Sequence, residues 1–225
     1  AYVNRAELIS YFIDRDGLSE DYFGVTRDGV LQEGLFTIKA TGADTEPVLT
    51  AARSFLANLG QKAETAKFAI DSDEWRRWNN IHLYVRQGVG LLEMNEPQKA
   101  AAYELLAASL SERGYAQARD IMRLDTTLGE LSGDNFDEYG EERYWFTVMG
   151  EPDEAEPWGW QIDGHHLVIN YFMLGDQVVM SPVFLGSEPV IARAGRHAGV
   201  EVLQAEQDQG LSFIQSLPQA QQQAA

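Results

Sequence analysis

The 225-residue chain contains no cysteine. That absence removes disulfide scaffolds, Cys-ligated zinc, iron–sulfur clusters and thiol nucleophiles together, and it suits oxidising and reducing compartments alike. Basic residues are scarce: 17 Lys and Arg stand against 35 Asp and Glu, for a formal net charge of −18. A surface that negative repels phosphate backbones and anionic lipid, so nucleic acid and membrane are set aside as partners. A small-molecule or oligomeric substrate, or a divalent cation, fits better. No apolar run approaches the roughly 20 residues of a membrane span. Signatures are missing as well. There is no GxGxxG, Walker A, GxSxG or HExxH element, and no two His stand at i, i+4, so Rossmann, P-loop NTPase and serine-hydrolase readings lose their support. The chain opens Ala1-Tyr2-Val3 without Met, from which a removed signal peptide and a secreted or periplasmic location are expected. Hydrophobic residues make up 44% and aromatics 11%, enough for a sizeable core and too much for global disorder.

Residues 1–34 read as irregular, with Gly and Asp at turn positions. Gly34 to Ala40 reads as a short strand and Lys67 to Ile70 as another. Thr45-Glu46-Pro47 opens a helix with Thr45 as cap and an apolar stripe of Leu49, Ala52, Phe55, Leu56 and Leu59. Trp75 and Trp78 are spaced to share one helical face. Asn95-Glu96-Pro97-Gln98 is a capping-box start for a helix reaching about Arg113. Gly114 is expected to stop it, and a second helix from Tyr115 to Leu131 to fold back as an αα-hairpin. Residues 132–157 hold nine acids and a single base, Arg143; they enclose the strand-like Tyr144 to Met149. His165 to Phe172 and Gln177 to Phe184 read as strands joined at Gly175-Asp176, followed by a polar helix from Ala205 to Gln215. Ser54-Phe55-Leu56 to Gln61 is echoed by Ser212-Phe213-Ile214 to Gln219. The echo reads either as two unrelated helix ends or as a duplicated unit whose second copy is cut short.

The densest unusual cluster is Pro157-Trp158-Gly159-Trp160-Gln161-Ile162-Asp163-Gly164-His165-His166-Leu167-Val168-Ile169-Asn170. A regular strand from His165 puts Leu167, Ile169 and Tyr171 on its face, and Val168, Asn170 and Phe172 on the face of His166. The two His reach one site only if the strand is irregular, for example bulged at Gly164. Imidazole is both the commonest metal ligand and a base suited to neutral pH, so His165 and His166 are read as ligands or acid–base groups, or else as one core and one surface His. Trp158 and Trp160 are read as cleft walls or as core packing. His82, Tyr84 and Arg86 alternate, and a strand there would gather them as an anion clamp; alternatively the Arg residues of this region only balance surplus carboxylates. The acidic run lacks a calcium-loop spacing and reads as solvated surface.

Glu74-Trp75-Arg76-Arg77-Trp78-Asn79, Leu110 to Tyr115, Trp158 to Leu167 and Pro182 to Pro189 occur in an order that resembles the DUF3500 family from about Gly34 onward. The family is uncharacterised, and the resemblance implies a bacterial or fungal, often exported protein. Its members are usually longer and carry further His residues in a second half, so the resemblance implies that this chain is the first part of a duplicated protein.

The expectation is an α+β domain over 1–225, with helical hairpins packed on a mainly antiparallel sheet. The expected function is a metal-dependent, hydrolytic enzyme acting on a small or polymer-derived organic substrate. His165 and His166 would bind a divalent metal such as zinc or act as base. Asn170 would orient substrate, while Trp158, Trp160, His82 and Arg86 would bind it. A non-catalytic binding module on the same Trp/His face, or a structural protein, is the alternative.

Overall fold

A computed structural model describes residues 24–225 apart from 36 and 38. The sheet is built where β-branched and aromatic residues concentrate. Its middle strands are β5 (Tyr144–Met149), β6 (Trp158–Gly164) and β7 (Leu167–Leu174). They pair antiparallel, with Trp145 opposite Asp163, Val148 opposite Trp160 and Trp160 opposite Tyr171. Short strands finish both edges. β3 (Lys67–Phe68) runs parallel to the end of β5, and β4 (Val89–Gly90) runs antiparallel to its first half. β8 (Gln177–Val179) and β9 (Val183–Leu185) lie on opposite halves of β7. The one strand expected over 177–184 is thus two. Pro182, which has no N–H to give a ladder, sits at the break, and its carbonyl accepts from the Asn170 backbone N–H at 3.2 Å. A separate antiparallel pair, β1 (Thr26–Arg27) and β2 (Val30–Leu31), is exposed. The expected strand over 34–40 includes two residues outside the described set, and its other residues form no strand. Most of the irregular segment 1–34 likewise lies outside the described residues.

Helices cover one face of the sheet. They are α1 (Glu46–Leu59), the single turn α2 (Ala63–Ala66), α3 (Glu96–Ser109) and α4 (Glu112–Leu131). Thr45 precedes α1, but its hydroxyl donates to the Gly175 carbonyl, and the Asp44 carboxylate takes the Glu46 N–H instead. The Asn95/Gln98 capping box forms, at 3.0 and 3.1 Å, and the Gln98 amide also ties the end of α1 through the Asn58 and Leu59 carbonyls. α3 ends at Ser109, earlier than expected, because Ser111 caps α4 by accepting from the Gly114 N–H. Gly114 therefore belongs to the first turn of α4 and stops nothing. α3 packs chiefly along α1 rather than along α4.

The sheet face under the helices carries Tyr144, Phe146, Val148, Trp160, Ile162, Ile169 and Tyr171, all in the one core with Phe55, Leu105, Leu106 and Ile121. Phe55, Phe146, Trp160 and Tyr171 make a continuous run of ring contacts at 5.6–6.1 Å. The opposite face carries Trp145, Asp163, Asn170 and Phe172. It is covered by the segment after β3, where the Trp75 ring meets Phe172 edge-on and Arg86 meets Asp163. Trp75 lies in a single 3-10 turn, Asp73–Arg76, that ends before Trp78. Past the sheet, Ala192 and Val202 are buried, whereas helix α5 (Gln204–Ser216) buries none of its residues. Among the described residues no helix is long and apolar enough to cross a membrane.

Candidate metal centre

β6 and β7 are joined by a two-residue turn made of His165 and His166. The turn puts His166 in the left-handed region, φ 59°, uncommon but accessible to His. Three bonds hold it: the Tyr144 hydroxyl donates to the His165 carbonyl, the His166 N–H donates to the Asn80 carbonyl, and the His166 carbonyl accepts from the Gly186 N–H. A hairpin turn, not a strand, thus lets adjacent side chains lie together, with ring centroids 3.9 Å apart. β7 begins at Leu167, two residues later than expected.

Each ring has distinct support. His165 is buried, and its Nδ1 lies 2.7 Å from Oδ1 of Asp125 on α4. The other oxygen of Asp125 accepts the Gly140 N–H at 2.7 Å. A ring N–H at Nδ1 can donate to this oxygen, an arrangement that turns Nε2 away from Asp125. His166 stacks near-parallel to Phe184, and both of its ring nitrogens are buried without a hydrogen bond among the described residues. Its Nε2 is 3.7 Å from Oε2 of the exposed Glu188. His82 meets His165 edge-on at 5.3 Å, and its Nε2 is 3.3 Å from the Tyr139 hydroxyl. Burial lowers the pKa of both His82 and His166, and the neighbouring His165 lowers them further. Burial raises Tyr139. Burial thus favours the neutral form of these two imidazoles, the form that binds metal.

One donor atom from each of His165, His166 and Glu188 falls in a group spanning no more than 4.8 Å. Beside His82 and His165 opens a cavity of about 190 Å³, lined also by Tyr84, Glu138, Arg143 and Trp145. A second, of about 330 Å³, lies against Tyr139, Phe136, Glu141 and Arg196 and shares Arg143 with the first.

A family described as "Protein of unknown function (DUF3500)" matches residues 41–225. The chain belongs to that family. No curated protein and no solved structure matches it.

The fold of this DUF3500 chain brings His82, His165 and His166 together, keeps Arg86 at the border of the same cavity, and puts Trp158, Trp160 and Asn170 elsewhere. Trp158 and Trp160 are fully buried under the helices, in the core rather than on the cavity wall. Asn170 is buried on the opposite face, accepting from the Gln161 amide at 2.7 Å and donating to the Pro182 carbonyl. Arg86 borders the cavity, but its side chain is only 2% exposed and its Nε is 3.1 Å from Asp163. Its Nη atoms donate to the carbonyls of Asn79, Ile81, His82 and Tyr84. Four carbonyls converging on one guanidinium wrap residues 79–86 into a loop, so no strand forms there and Arg86 holds the His82 backbone in place.

Asp125, Tyr139 and Glu188 escaped the sequence reading. Asp125 left a signal: it is an acid inside the apolar stripe Ile121, Met122, Leu124 and Leu128, and a buried acid needs a partner. Glu188 and Tyr139 lie in irregular segments with no periodicity to mark them.

Proposed function

We propose that His165, His166 and Glu188 hold a divalent metal such as zinc, and that this centre serves hydrolysis of a small or polymer-derived organic substrate. The observation that carries the reading is the convergence of three donors beside a cavity, with Asp125 behind His165. The donor set suits zinc. A tetrahedral ion needs donors about 3.4 Å apart, and the exposed Glu188 side chain, 70% accessible, is free to close the remaining distance. Three protein ligands leave a fourth position open, the pattern of catalytic rather than structural zinc. The metal, when bound, would supply Lewis acidity and a lowered water pKa. The protein's own part is proton handling and placement. His82 offers a neutral base, Tyr139 shares a proton with its Nε2, and Asp125 fixes the ring of His165.

Zinc and cobalt titration of the purified chain is the test. One equivalent is expected, lost in His165→Ala and in His166→Ala and weakened in Glu188→Ala. Equal uptake by the parent and all three variants, or none by the parent, would overturn the proposal.

A further inference from the structure

We infer that the cavity beside His82 and His165 takes a small zwitterion of the amino-acid class, a reading that deepens the proposed function and rests on it for the chemistry that follows binding. The charges on the wall are specific. Arg86 is neutralised by Asp163 and by four carbonyls. Arg143 is not. Its Nε donates to the Phe136 carbonyl at 2.9 Å, and its Nη atoms have neither an ion pair nor a hydrogen bond among the described residues. Yet Arg143 lies within 132–157, amid nine carboxylates. A guanidinium offers a two-pronged donor that matches a carboxylate, and this one borders the cavity with its prongs unused. Asp137 and Glu138 stand on the same wall. Glu138 is positioned by the Asn135 amide at 3.0 Å and by His82 at 3.9 Å.

A simple anion would reach Arg143 but also face Asp137 and Glu138. A simple cation would leave Arg143 unmatched. A ligand with a carboxylate at one end and an ammonium at the other answers both signs. Leu83, Val85 and Trp145 add apolar wall for a side group. At about 190 Å³ the space is below the ~300–1,000 Å³ usual for drug-sized ligands, which suits a free amino acid or the terminal residue of a short peptide.

Calorimetric titration of the full, metal-free chain with three probes reads this directly: L-phenylalanine, its methyl ester (cation only) and 3-phenylpropionate (anion only). L-Phenylalanine should bind at least about tenfold more tightly than either, a difference worth about 1.4 kcal/mol. In Arg143→Gln its affinity should fall to that of the ester, with Arg143→Lys restoring part of the loss. In Asp137→Asn it should fall toward that of phenylpropionate. Thermal melts and zinc uptake of Arg143→Gln should match the parent. Equal affinity for the three probes, no binding by any, or a preference that survives Arg143→Gln would overturn the inference. Because the probes are read without metal, failure of zinc uptake in the parent would sink the metal reading alone.

Discussion

Nδ1 of His165 stands 2.7 Å from Oδ1 of Asp125, and both side chains are almost wholly buried. The contact joins the β6–β7 turn to the middle of α4 and fixes which nitrogen of His165 faces the cluster. Such a carboxylate behind a metal-binding imidazole sets its tautomer and orientation and strengthens it as a ligand. Asp125→Asn should therefore weaken zinc binding about 10–100-fold while leaving the fold intact. Asp125→Ala also strands the Gly140 N–H and the ring N–H, and should cost about 1–3 kcal/mol of stability for each buried group left unpaired. Zinc titration and urea unfolding separate the two effects; an Asn variant with parental zinc affinity would remove Asp125 from the site.

Arg86 and Asp163 form a further buried polar link, between the loop of His82 and strand β6. Removing one partner leaves a buried charge uncompensated, which costs about 3–5 kcal/mol. Arg86→Met should fall in that range by urea unfolding, and the double change Arg86→Met/Asp163→Leu should recover much of it. A single variant within 1 kcal/mol of the parent, on the scale of a surface ion pair, would show that the loop does not depend on the guanidinium.

Much of this arrangement was legible in the sequence because local chemistry determined it. The Asn95 box, the aromatic run 144–149 and the alternation of Leu167, Ile169 and Tyr171 against Val168, Asn170 and Phe172 all correspond to the structure, and the α+β class follows from them. The site was legible only in part. His165 and His166 stood out by composition, but reading them as strand residues split them across two faces. The turn that reunites them depends on tertiary bonds from Asn80, Tyr144 and Gly186, which no short window contains. Arg86 read as a clamp for the same reason: its four carbonyl partners are near in sequence, yet the buried Asp163 that draws it in is 77 positions away. Trp158 and Trp160 show the converse. An unusual Trp-Gly-Trp spelling drew a functional reading, while the structure uses both rings for packing.

Gly159 and Gly164 explain that spelling physically. A Cβ on Gly159 would meet the Tyr171 carbonyl and the Trp75 ring, and one on Gly164 would run into the Tyr144 ring. Neither has a positive φ, so space rather than backbone freedom requires the glycine. Ala at either position should destabilise the fold by about 1–3 kcal/mol or more through overpacking, measurable by thermal or urea unfolding. Gly164→Ala should also disturb zinc binding, because Tyr144 holds the His165 carbonyl. Parental stability in both variants would contradict the close packing on β6.

Glu74 supplies a pH signature. It is only 3% exposed, and burial pushes its carboxyl from 4.5 up to about 7, with Arg77 opposing the rise and Asp163 adding to it. Between those two values the folded chain holds a proton that the unfolded chain has released. Stability from this group is therefore full below pH 4.5 and lost as the pH rises toward 7. Asp163, raised from 3.8 to about 6 by burial against the opposing pull of Arg86, acts with the same sign but is exhausted earlier. Glu74→Gln should match the parent near pH 4, gain on it most steeply between about pH 5 and 6.5, and remain the more stable protein at pH 8. Melting curves at pH 4, 5, 6, 7 and 8 check this, and parallel profiles for the two proteins would show that Glu74 does not carry the proton.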